Sequence, residues 1–155
     1  MKNIAPKLIE LFKKGHCTPQ IARIAKLLKD PSTTIHYNIK KLEEEKAILT
    51  YKAVFDYKKI NQGFCTYVLI NLVQEKYGDP EKVTKELAKH PNVESIDICT
   101  GDYEFIMKFR CKDVDEYYAF IKSAVKKYGF AKAISLTSLK QIKTEFVEMP
   151  DNTKN

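Results

Sequence analysis

The sequence predicts an α+β chain in two parts: three short helices, then the series strand, helix, strand, strand, helix, strand. Three observations predict it. The first sixty residues carry apolar positions at helical spacing. The later residues alternate between apolar runs of strand length and two amphipathic stretches. The charge divides at the same place: residues 1–60 hold thirteen Lys and Arg against six Asp and Glu, while residues 61–155 hold fourteen of each, so the formal charge of +7 belongs to the front of the chain. A basic module joined to a neutral one suits a part that meets a polyanion and a part with another task.

With 155 residues, 44% apolar and 30% charged, the chain can bury one moderate core or two small ones. No apolar run approaches the roughly 18 to 20 residues of a membrane span, and Met1, Lys2, Asn3 and Ile4 do not open a secretory signal, so a soluble cytoplasmic protein is expected. Cys17, Cys65, Cys99 and Cys111 show no Cys-x-x-Cys spacing, which argues for buried thiols rather than disulfides or zinc. No cofactor or metal is expected, since His16-Cys17 with the distant Cys65 is not a common ligand spacing. His16, His36 and His90 lie far apart, with no Ser/His/Asp, His-Glu-x-x-His or phosphate-loop pattern, so an enzyme is not expected.

Ile4, Leu8, Leu11 and Phe12 predict a first helix that stops at Gly15. Thr18 as cap and Pro19 at the first helical position open a second, with Ile21, Ile24, Ala25 and Leu28 as its apolar stripe. Asp30-Pro31-Ser32-Thr33 starts a third, in which the Asp30 carboxylate caps, and which runs to about Glu45. Ile35, Ile39 and Leu42 form its narrow inner stripe, leaving Thr33, Thr34, Tyr37, Lys40 and Lys41 outward with His36 and Asn38 at the flanks. This pattern meets the needs of a helix-turn-helix. Thr33, Thr34, His36 and Tyr37 are the candidates for base edges, and Ser32, Lys40, Lys41 and Lys52 for phosphates. Ile48 to Phe55 reads as extended chain, the wing of a winged helix-turn-helix, so residues 1–48 form the DNA-binding domain and 49–63 the wing or linker strand.

The stretch Pro31-Ser32-Thr33-Thr34-Ile35-His36-Tyr37-Asn38-Ile39-Lys40-Lys41-Leu42-Glu43-Glu44-Glu45, then Ala47-Ile48 and Tyr51-Lys52-Ala53, resembles the recognition helix and following strand of the Lrp/AsnC, or feast/famine, transcription regulators, particularly archaeal members. Two departures stand out. Lys29 and Lys46 occupy places where that family commonly has Gly, so either the turns differ or a lysine accepts the left-handed conformation at about 1 kcal/mol. Asn38 stands where many members carry Arg.

In the second half, Phe64 to Val73 is apolar on both alternating sets, so both faces of that strand need cover, one of them from a partner subunit. Asp79-Pro80 starts a helix that stops before Pro91; Val93, Ile96 and Ile98 make a second strand; and Thr100-Gly101-Asp102 turns into a third through Tyr103, Phe105, Met107 and Phe109. Asp113 and Glu116 form a capping box for a helix ending at Gly129, and Ala133 to Lys143 is the fourth strand. That order is ferredoxin-like, βαββαβ, over residues 64–145, with 146–155 as a polar tail.

The order also fits the ligand-sensing (RAM-type) domain of the same family, and Gly101-Asp102-Tyr103-Glu104 resembles its Gly-Asp-Tyr-Asp motif. The resemblance implies a free amino acid bound near Gly101, Asp102 and Tyr103, double-stranded DNA as partner, and self-assembly into dimers or octamers. Two-fold symmetry would set half-sites about 10 to 10.5 base pairs apart or a multiple of it. Two alternatives remain open from sequence: an RNA-binding sheet, which lacks its Lys/Arg-Gly-aromatic signature and basic charge, and a protein-assembly module without DNA sequence specificity.

Overall fold

The computed structural model describes residues 4–76 and 79–149. The chain divides into two compact units, Met1–Val54 and Phe55–Asn155.

The first unit holds α1 (Ala5–Lys13), α2 (Ile21–Leu28) and α3 (Ser32–Glu44). Gly15 ends α1 at φ +88°, and a Cβ there would lie 2.0 Å from the Thr50 hydroxyl oxygen, so only glycine fits. α1 does not bury its expected stripe. Ile4, Leu8 and Leu11 remain 48%, 38% and 46% exposed, while Ile9 and Phe12 are the half-buried positions. α2 begins two residues later than expected, after Gln20 and without a side-chain cap; His16 bridges Tyr51 and the chain to Gln20 forms no helix, which leaves Thr18 and Pro19 in the connection. Asp30 does not cap α3 either, since Pro31 occupies the flanking position and no side chain bonds the first turn. Lys29 and Lys46 adopt φ +58° and +56°, so the turns keep their left-handed form with lysine in place of glycine.

The expected strand Ile48–Phe55 reduces to a parallel bridge between Tyr51 and His16, with the Thr50 hydroxyl donating to the Gly15 carbonyl at 3.4 Å. A ladder needs a second extended strand alongside, and among the described residues no further pairing reaches this segment.

The second unit contains β1 (Phe64–Leu72), α4 (Pro80–Leu87), β2 (Val93–Ile98), β3 (Phe105–Cys111), α5 (Val114–Tyr128) and β4 (Phe130–Thr137). The sheet order is β2-β3-β1-β4 and each neighbouring pair is antiparallel, the ferredoxin-like arrangement. Val68, Ile70, Leu72, Phe105, Met107 and Phe109 fill one face beneath Val83 and Leu87 of α4 and Tyr117 and Ala124 of α5. Phe109 stacks on Phe120 with ring centroids 4.1 Å apart. Both helices start where carboxylates accept from their first turns, Asp79 from the Lys82 amide at 3.1 Å and Asp113 from the Glu116 amide at 3.0 Å. Glu116 reciprocates by accepting from the Lys112 amide at 3.0 Å.

The fourth strand starts earlier than expected. Gly129 at φ +70° turns α5 directly into Phe130, which is buried and pairs with Leu72. The ladder ends at Thr137, which leaves Leu139 and Ile142 93% and 65% exposed in a loop. A short hairpin follows, β5 (Lys143–Thr144) with β6 (Val147–Glu148), so the expected polar tail is folded through Glu148. Residues 1–3, cited above against a secretory signal, and the tail from 150 lie outside the described residues.

On the sheet's other face, register sets Leu69 between Ile106 and Ile134, and Tyr67 between Lys108 and Leu136. Leu136 is 53% exposed there. The apolar character of both faces of β1 is thus matched by cover on one of them.

Candidate nucleic-acid interface and sensor loop

α3 turns Ile35 inward, 7% exposed, with Ile39 half-buried beside it. That choice leaves Ser32, Thr33, Thr34, His36, Tyr37, Lys40 and Lys41 exposed on one contiguous helix surface, Tyr37 at 68%. Because Asp30 does not cap, the first amides of α3 have no side-chain acceptor. They are the groups a helix offers to an anion, at the positive end of its dipole. Lys40 and Lys41 lie 3.7 and 3.8 Å from Glu44 and Glu45, one turn on. Such exposed pairs are worth little and are readily exchanged for a phosphate. Asn38 donates to the Thr34 carbonyl at 2.8 Å, so its amide is engaged within the helix. Tyr51 donates to Glu43 at 3.0 Å, which ties the segment after α3 to its C-terminal half, and Lys52 is exposed on that segment.

In the second unit Gly101, Asp102 and Tyr103 lie in the loop between β2 and β3. Gly101 has φ +111° and no heavy atom within 4 Å of where a Cβ would stand. Asn71 of β1 holds the loop at two points, donating to the Asp102 carbonyl at 2.8 Å and accepting from the Glu104 amide at 3.0 Å. Glu104 in turn accepts from the Leu72 amide at the bulge of β1. Its carboxylate is therefore committed to the backbone, whereas Asp102 is tied through its main-chain carbonyl. Lys132 sits 5.1 Å from the Tyr103 ring centroid. Asn71 and Lys132 were not among the sequence candidates. Their only signal was strand register, which one sequence does not display.

An exposed polar helix after a turn, joined to a ferredoxin-like domain with a glycine-turn loop, defines a class of helix-turn-helix transcription regulators with a sensor domain. Residues 65–147 match the model of the Lrp/AsnC ligand-binding domain. An uncharacterised HTH-type transcriptional regulator of Pyrococcus furiosus is 30% identical over 139 residues, 89% of this chain and 92% of that protein. Among solved structures, an AsnC family regulator from Agrobacterium tumefaciens superposes with a TM-score of 0.73 at 23% identity over 97% of both chains. A feast or famine regulatory protein of M. tuberculosis, complexed with L-methionine, gives 0.72 at 15% identity over 91% of this chain and 92% of the other. The chain belongs to the Lrp/AsnC family. It is a DNA-binding transcription regulator and not an enzyme, which sets aside the RNA-binding and assembly alternatives. No described helix is long and apolar enough to cross a membrane.

Proposed function

We propose that α3 enters the major groove, with Thr33, Thr34, His36 and Tyr37 at base edges and Ser32, Lys40, Lys41 and Lys52 at phosphates. The observation that carries this reading is the exposure of the whole outward row together with the uncapped first turn of α3. Two copies join across the open face of the sheet, where Leu69, Ile106, Ile134 and Leu136 form an apolar row that the chain's own helices leave uncovered. A dimer presents two recognition helices to successive grooves, in the cytoplasm where the chromosome lies.

A free amino acid is the effector, its carboxylate on the amides around Gly101 and its ammonium on Asp102. The methionine-bound relative structure supports the class of ligand. Seated at a contact between dimers, it shifts the population toward the assembly that contains that contact.

Gel shifts with genomic fragments at two salt concentrations test the DNA reading. Lys41→Gln lowers affinity for every sequence and reduces the slope of log affinity against log salt by about 1. Tyr37→Ala relaxes preference at particular bases by about 1–3 kcal/mol. If neither change alters binding, α3 is not the reading helix. Calorimetry with the twenty amino acids, repeated on Asp102→Ala, tests the effector.

A further inference from the structure

A second cluster of charges lies away from the hairpin loop. A bulge between Val93 and Ser95 brings Glu94 against two cations of β3. Glu94 accepts from Lys108 Nζ at 2.7 Å and from Arg110 Nε at 2.6 Å, and the side chains of Lys108, Arg110 and Glu94 are only 11%, 6% and 15% exposed. Burial pushes the Glu94 carboxyl up, but the hydrogen bonds from Lys108 and Arg110 outweigh it and hold the group below its usual range. The trio is therefore one carboxylate shared by two cations.

Arg110 is under-used for so buried a group. Its Nε serves Glu94, its Nη2 donates to Gln141 Oε1 at 3.2 Å, and its Cζ lies 3.7 Å from the Tyr57 ring centroid. A guanidinium has five N–H donors, and Nη1 donates to no described residue. Among the described residues the buried side-chain polar atom without a partner is Thr66 Oγ1, so Nη1 is not sealed away and its donors stay open to an incoming acceptor. Arg110 lines a cavity of about 270 Å³, walled also by Asp56, Tyr57 and Lys58 of the connector, Cys65, Leu139, Lys140 and Met149. Burial pushes the Cys65 thiol up, so no thiolate adds negative charge here; Asp56 is the acid of the lining, accepts from the Lys58 amide at 3.2 Å, and is outnumbered by Arg110, Lys58 and Lys140. Residues 99–104 contribute nothing to the lining.

We propose that this cavity binds a small organic carboxylate, seated on the free edge of the Arg110 guanidinium, with its carbon body against Leu139 and Met149. The planar fork of arginine matches a carboxylate, and the trio's surplus positive charge gives an anion a counter-ion away from water. The volume falls just below the usual range of ligand pockets, which selects a small metabolite over a nucleotide or a peptide. Lys58 on the wall takes a second acidic group where the ligand has one. Tyr57 and Lys58 follow directly on the DNA-binding unit, so an occupant orders the segment that joins the two units. That consequence rests on the DNA-binding reading; the binding itself does not.

The test titrates the full chain with acetate, succinate and inorganic phosphate, by calorimetry and by the NMR resonance of the Arg110 Nε–H. Succinate is expected to bind, more tightly than acetate, and to shift that resonance. Its affinity falls about tenfold in Arg110→Lys and several-fold in Lys58→Gln, an exposed position whose change leaves the fold intact. It stays unchanged in Asp102→Ala. Tighter binding of phosphate than of either carboxylate overturns the ligand class. Loss of succinate binding in Asp102→Ala alone moves the site to the hairpin loop and overturns the proposal, as does the absence of binding by all three probes. If succinate binds as expected while DNA binding fails, only the regulatory consequence falls.

Discussion

Among the described residues up to Val54, Ile35 is the one apolar side chain exposed by less than a tenth, whereas the second unit gathers a cluster of twelve buried residues, Phe105, Met107 and Phe109 among them. The first unit leaves Leu27, Leu28 and Leu49 at 72%, 62% and 87% exposure, beside the half-exposed stripe of α1. Full burial of such a side chain is worth about 1.5–3 kcal/mol, and each of these forgoes the part of it that its exposure leaves unrealised. The units therefore hold their shape differently. The second is built around an interior, while the first is mostly surface, with its cations and apolar residues turned toward whatever it meets. A reader of DNA needs little depth, because its energy comes from phosphates and base edges; a sensor domain needs a rigid sheet to fix the geometry of its loops.

The largest expected effects separate the two interiors. Phe109→Ala removes a ring stacked on Phe120 and packed near Tyr117 and His90, and costs the second unit about 3–5 kcal/mol. Ile35→Ala costs about 2–5 kcal/mol, more than so shallow an interior can spare. Residue-resolved hydrogen exchange should show the first unit opening in Ile35→Ala, with DNA binding lost and protection of β1 and β3 unchanged. If protection across both units falls together in either variant, the two interiors are not independent.

Those two interiors were not equally legible in the sequence. The second unit could be read because its alternating runs, its Asp79 and Asp113 caps and its Gly129 stop point to the same elements; the caps and the stop are realised, and only the fourth strand is displaced, to Phe130–Thr137. The first unit misled wherever a local rule competed with sparse packing. With few buried contacts to choose a face, the stripe Ile4, Leu8, Leu11 looked like an inner face and is an outer one. Asp30 and Thr18 have the chemistry of caps, yet neither is used, because the turns around Lys29 and His16 place the helix starts elsewhere. For the candidate site, the outward row of α3 followed from periodicity alone. The ties of Asn71 and Glu104 to the sensor loop depend on pairing across thirty residues of chain, and the Arg110 cluster depends on a bulge; periodicity carries neither.

A smaller effect, opposite in sign, sharpens the contrast. Lys29 and Lys46 hold left-handed backbone angles that favour glycine, each at a cost of about 1 kcal/mol. Glycine relieves that strain but enlarges the freedom of the unfolded chain, so Lys29→Gly and Lys46→Gly should each stabilise the first unit by about 0.5 kcal/mol net. In so shallow a unit this is visible as slower local exchange in α2 and α3. Removing the Lys29 or Lys46 ammonium lowers DNA affinity only if that cation reaches phosphate, so gel shifts on the same proteins separate strain from charge.

The smallest expected effect belongs to the second unit alone and is switched by pH. His90 packs edge-on against Phe120 with centroids 4.9 Å apart, 5.6 Å from Phe109, and its Nδ1 accepts from the Asn92 amide at 3.2 Å. Burial holds its pKa below the ordinary 6.5, against the opposing pull of Glu116. A group depressed in the folded state favours folding while it is neutral in both states. The stabilisation is therefore complete above the unfolded value near 6.5 and is lost as pH falls through the lower, folded value, when a proton on Nδ1 displaces the Asn92 amide. Melting of the second unit should drop between neutral and mildly acid pH, and the drop should flatten in His90→Gln, whose amide oxygen can accept the same bond without titrating. Glu94, also held below its ordinary 4.5, loses its ion pairs only at lower pH, so the two losses fall in separate windows. His16 and His36 of the first unit are exposed and packed against no such aromatic cluster. An equal acid response in both units, or one that survives in His90→Gln, would show that the switch lies elsewhere.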